Sequence, residues 1–107
     1  MADLSDLVLL RNDPEMAERL IAQAAEADRD AQYAAGLIYA EGRGVNQSDA
    51  LAYFWLTLAI EQGDEDAELL RMVVLSNISQ EEFDLGILLL DKYHKTNYLK
   101  TQSDNIN

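Results

Sequence analysis

Carboxylates are the most abundant reactive groups in this 107-residue chain, which carries 20 Asp and Glu against 8 Lys and Arg. The densest group is Glu61, Asp64, Glu65, Asp66 and Glu68, five acids within eight residues. Such a group has the chemistry to hold calcium or a basic partner, but the spacing is not that of a calcium loop. These acids stand where a helix is expected to begin, and the positive end of the helix dipole stabilises them there. A structural or solvated role is therefore the plainer reading. His94 is the only histidine, with Asp91 three residues before it. A zinc site takes three or four ligands of the right type, so His94, beside Lys92 and Lys95 near a helix C-terminus, reads as solvated. Gly42-x-Gly44 follows a helix and lacks a third glycine or a Gly-Lys-Ser/Thr sequence, so it reads as a turn and not as a phosphate loop. Cysteine is absent, which excludes disulfides, thiol catalysis and thiolate metal sites. No carboxylate pair stands out for acid–base work, and no Ser/His/Asp order is defensible. The chain reads as a non-enzyme, with no catalytic residue, metal or cofactor.

The elements that would position these residues are helices. The chain is 49% hydrophobic with 5 Gly and 1 Pro, a composition that supports a core. Asp13-Pro14 has the form of an N-cap followed by proline at the first helical position. It predicts a helix over 14–27 with Met16, Leu20, Ala24 and Ala27 on one face. A second helix is expected over 30–40, ended by Gly42 and Gly44, and a third from Ser48 or Asp49 to about Gln62, closed by Gly63. A fourth covers 64–75. Ser79 and Glu82 have capping-box spacing and open a fifth that reaches Tyr93–Tyr98. A short helix at 4–11 is expected to precede them. The connections are short, so consecutive helices should be antiparallel.

An internal echo organises these helices. Glu26-Ala27-Asp28-Arg29-Asp30-Ala31 returns as Gln62-Gly63-Asp64-Glu65-Asp66-Ala67, 36 residues later, at a helix-to-helix junction both times. Between the echoes lie Gly36, Tyr39, Gly42, Gly44, Val45, Ala52, Trp55 and Ala59. Together with Ala31, Gly63 and Ala67, this pattern closely resembles the Sel-one-like repeat, a relative of the tetratricopeptide repeats. Small residues let helix backbones approach, Tyr39 and Trp55 fill the space between paired helices, and Val45 tucks over the helix ends. A second copy degenerates: Arg71-Met72 replaces Leu-Gly, and Ser76-Asn77-Ile78 replaces the glycine loop.

The resemblance implies an all-α fold, a short α/α solenoid of about five to six antiparallel helices. Residues 1–98 form one helical-repeat domain on this reading, with 1–27 an N-terminal cap or half-repeat, 28–63 the complete repeat, and 64–98 a degenerate repeat with C-terminal cap. Residues 99–107 are expected to be a flexible tail. The resemblance also implies a non-catalytic adaptor that binds a protein or peptide. First helices of such pairs usually line the concave face, so Arg29, Gln32, Tyr33, Glu65 and Glu68 are candidate contacts. Tyr33 either meets the partner or packs against the preceding helix. A net charge of −12 favours a basic partner and repels nucleic acid and anionic membranes. The same charge motivates an alternative, a small acidic inhibitor or immunity-type protein that blocks a basic nucleic-acid-binding or toxin surface. Phe83, Ile87, Leu88, Leu89 and Leu90 are expected mainly to seal the solenoid, with a homodimer contact as their other use. Acids in the first six residues and the short run Leu7–Leu10 fit neither a signal peptide nor a span, so the sequence reads as cytoplasmic.

Overall fold

The structure, a computed structural model, describes residues 13–105. The helix expected at 4–11 lies outside the described residues. Among the described residues there are five helices and no strand: α1 Pro14–Ala25, α2 Arg29–Glu41, α3 Asp49–Glu61, α4 Glu65–Asn77 and α5 Gln80–Asn105.

Local chemistry starts the helices. The carboxylates of Asp13, Asp28 and Asp64 accept from the backbone N–H groups of Met16, Ala31 and Ala67 at 3.0, 3.0 and 3.1 Å, and Ser48 Oγ accepts from Leu51 at 3.1 Å. Each cap satisfies one of the donors that a helix start leaves unpaired. Ser79 caps α5 in the same way, accepting from Glu82 N at 3.2 Å. The reciprocal half of the expected capping box is not made. The Glu82 carboxylate instead accepts from Ala50 N at 3.0 Å, so it serves the start of α3.

The echo in sequence is an echo in backbone. At the end of α1, Asp28 N–H donates to Gln23 O at 3.3 Å, and at the end of α3, Asp64 N–H donates to Ala59 O at 3.1 Å. Both are Schellman-type closures, which need a left-handed residue just before the donor. Gly63 fills that place with φ 92°, and Ala27 fills it with φ 65°. Ala27 is therefore a turn residue and not the end of a buried face. The buried stripe of α1 is Ala17 and Ala24 with Ile21 packed between them, rotated from the expected Met16–Leu20–Ala24–Ala27 line.

Helix α3 is the hub. Its residues Ala50, Ala52, Tyr53, Phe54, Trp55, Leu56, Leu58 and Ala59 are all buried, because α2, α4 and α5 pack around it. It is approached closely by α2, where the buried Gly36 faces Leu56. Helix α4 lies antiparallel on α3, and Arg71 reaches across to donate to Thr57 Oγ1 at 3.1 Å with its guanidinium 5.8 Å from the Tyr53 ring centre. Helix α5 runs parallel to α3: Phe83 packs on Tyr53, Tyr93 on Phe54, and His94 meets Glu61. The apolar contact is made by Phe83, Gly86, Leu89, Leu90 and Tyr93. Ile87 and Leu88, expected to seal the core, are exposed. Helix α5 also continues to Asn105, well past the Tyr93–Tyr98 end expected for it and past the end of α3. Helices α4 and α5 each dock on α3 but hardly on one another.

Candidate functional site

The starts of α2 and α4 lie side by side, because both follow the same closing turn and the loop Gln62–Gly63 returns the chain to the α1–α2 junction. Gln62 Nε2 holds that return, donating to Ala27 O at 3.0 Å and to Gln32 Oε1 at 2.8 Å. Gln32 in turn donates to Ala24 O at 3.3 Å. With 1% exposure Gln32 is a structural clamp between the two turns, and this corrects its assignment as a partner contact.

Beside this clamp Arg29, Asp30, Gly63, Asp64, Glu65 and Asp66 line an open depression. Four carboxylates thus share this depression with one guanidinium. The Arg29–Asp30 pair, at 3.7 Å and largely solvated, adds little to stability. Tyr33 stands one turn along α2, half-buried against the core. Burial raises its phenol above the ordinary value of 10.0, and the fields of Asp66, Asp64 and Glu41 raise it further. Tyr39, the motif tyrosine, is raised by burial alone. An arrangement of this kind binds cationic groups by charge and offers a partly buried phenol as an aromatic contact. Of the expected contacts, Arg29 and Glu65 line the depression, Tyr33 borders it electrostatically, and Glu68 is exposed further along α4 without lining it.

The motif residues occupy structural places. Ala31, Gly36, Ala52, Trp55, Ala59 and Ala67 are buried, and Tyr39 packs at the edge of the core. Gly42, with φ 69°, is the left-handed cap of α2, and Gly44, with φ 77°, sits so close to α1 that an added Cβ would fall 2.7 Å from Asp13 O. Val45 lies half-buried beside them, with Pro14 and Asn46 lining the same hollow. His94 Nε2 stands 3.1 Å from Glu61 Oε2, whereas Asp91 pairs with Lys95 at 3.0 Å. No group of three or more His, Asp or Glu among the described residues is arranged to hold a metal ion. No described helix is long and apolar enough to cross a membrane.

Sequence reasoning missed one surface. Leu69, Met72 and Val73 project from α4 with 67%, 66% and 58% exposure. The signal was present, since Met72 stands 36 residues after Gly36, where the complete repeat keeps a buried glycine.

A family model described as Sel1 repeat matches residues 7–28 and 29–64, together just over half of the chain. No curated protein and no solved structure matches it.

Proposed function

The chain belongs to the Sel1 repeat family, whose repeats generally mediate protein–protein interaction, and from this we propose that it is a non-catalytic adaptor that takes a basic protein or peptide at the adjoining starts of α2 and α4. The observation that carries the reading is the depression that Asp30, Asp64, Glu65 and Asp66 line together with Arg29, beside half-buried Tyr33. Carboxylates clustered at two neighbouring helix starts attract a cation, so they steer a basic partner. The Tyr33 ring adds apolar contact area.

The test is capture of partners from native lysate at low and high salt, with wild type and Asp30→Lys/Glu65→Lys compared and bound proteins identified by mass. A basic protein held by the wild type, released by salt and lost in the variant is the expected result. Capture unchanged by the charge reversal, or no capture at all, would refute the reading.

The net charge of −12 supports a second reading, an acidic inhibitor or immunity-type protein that covers a nucleic-acid-binding or toxin surface. Under that reading the captured protein is a nuclease or toxin, and adding the chain blocks its activity in competition with nucleic acid. An adaptor leaves its partner active.

A further inference from the structure

The exposed face of α4 repeats a face that the chain covers once already. At the 36-residue offset Leu69 and Val73 correspond to Tyr33 and Leu37 of α2. On α2 both residues are half-buried, and the start of α4 comes close enough to Tyr33 for Asp66 to act on its phenol. Their counterparts on α4 have no such neighbour among the described residues, and Leu69, Met72 and Val73 stand in solvent. Helix α5 does not supply the cover, because it packs along α3 and barely touches α4.

We propose that the outer face of α4 is a helix slot that receives a basic amphipathic α-helix from another protein. The proposal rests on the interaction-module reading but concerns the outer face of α4, which shares only Glu65 and Asp66, at its N-terminal end, with the depression around Arg29. The chain itself shows how an amphipathic helix docks on a neighbour. Helix α4 docks on α3 with Ala67, Leu70, Arg71 and Val74, a stripe of one small residue, two aliphatic residues and one arginine at helical spacing. The small residue permits close backbone approach, and the aliphatic pair removes apolar surface from water. Charge selects the rest of the occupant. Glu65, Asp66 and Glu68 flank the apolar face on α4, and the whole chain carries −12. A second copy would bring a further −12 to the contact, whereas a helix bearing lysine and arginine beside its apolar stripe meets opposite charge.

The probe is a fluorescein-labelled synthetic helix as long as α4, with the same Ala-Leu-Arg-Val stripe and lysine at its outward positions. It is titrated into the full chain by fluorescence anisotropy, with amide chemical shifts mapped in parallel. Saturable binding is expected, with shifts centred on Leu69, Met72 and Val73 and affinity reduced by about tenfold or more in Met72→Glu. Met72 is exposed, so the variant keeps its fold, as circular dichroism checks. Asp30→Lys, which alters only the depression, should leave peptide affinity unchanged, so the two surfaces fail or stand separately. Absence of binding, equal affinity for Met72→Glu, or equal affinity for a peptide with glutamate in place of lysine would overturn the proposal. So would a dimer in sedimentation that Met72→Glu converts to monomer, because a second copy would then own the face.

Discussion

Gly36→Ala sets two effects of opposite sign against each other. In an open helix the change stabilises by about 1 kcal/mol, because glycine is the poorer helix former. At Gly36 the added Cβ would lie 2.5 Å from both Cγ and Cδ2 of Leu56 and 3.5 Å from the Ala52 carbonyl oxygen. Carbon atoms in good contact stand ~3.5–4.0 Å apart, so α3 must retreat by roughly 1 Å or Leu56 must leave its rotamer. Leu56 is fully buried, and Cγ is its branch point, so rotation about its outer bond cannot clear the overlap. Overpacking of this kind costs ~1–3 kcal/mol, and an off-rotamer side chain adds ~0.5–1.5 kcal/mol. After the propensity gain is subtracted, a net loss of about 1–3 kcal/mol is expected, roughly 4–20 °C in Tm for a chain of this size. Urea denaturation, followed by far-ultraviolet circular dichroism and by the fluorescence of the sole tryptophan Trp55, measures it. Leu56→Ala alone should cost ~2–5 kcal/mol, and combining it with Gly36→Ala should cost less than the sum by about 1 kcal/mol or more, because the clash is gone. A Gly36→Ala protein more stable than wild type would refute the close-packing argument. So would additivity within ~0.5 kcal/mol.

Two further expectations concern titration and turns. Tyr33 and Tyr39 are raised above 10.0 in the folded chain, so on raising the pH the unfolded chain loses these protons first. Their contribution is full below pH 10 and is lost as pH rises through the raised folded values. Stability measured by urea should therefore fall in that alkaline window, less steeply in Tyr33→Phe, and tyrosinate absorbance should show an earlier Tyr33 transition in Asp66→Asn. A transition unmoved by Asp66→Asn would remove that carboxylate from the account. Ala27 and Gly63 hold the same left-handed turn position, where an L residue pays ~1–2 kcal/mol and glycine loses ~0.4–1 kcal/mol through its freer unfolded state. Ala27→Gly should thus stabilise by about 0.5–1 kcal/mol and Gly63→Ala, with open space for its Cβ, destabilise by a similar amount. Equal signs in thermal melts would contradict the shared turn.

What could be read in advance was whatever is settled within a few residues. The caps at Asp13, Ser48 and Ser79 join a side chain to a backbone group three residues on, so residue type and spacing announce them. The glycine turns are equally local. Gln32 was misplaced because its burial depends on Ala24 across one turn and on Gln62, 30 residues away. The capping box failed by the same logic, since Glu82 found Ala50 at a separation of 32 residues. In α5, periodicity offered an apolar surface nearly all round and could not tell which side would meet α3, so Leu90 and Ile87 looked alike until the packing partner was known. Arg29 and Glu65 stand among the candidate contacts because the resemblance puts first helices on the concave face, whereas the exposed face of α4 follows from the position of α5, which no short-range signal encodes.

The central position of α3 also bears on how the chain is made. The ribosome delivers α1, α2 and α3 before the two helices that cover the Tyr53 and Phe54 side of the hub. At ~5–20 residues per second the last of α5 follows α3 by a few seconds. Throughout that interval the most apolar of the described helices presents aromatic rings to solvent or to any chaperone at the tunnel exit. The Glu82 carboxylate, which serves the N-terminus of α3, arrives only with that late helix. Maturation of the hub is thus tied to the synthesis of α5, and a nascent chain halted within α4 would be released with its core open on one side.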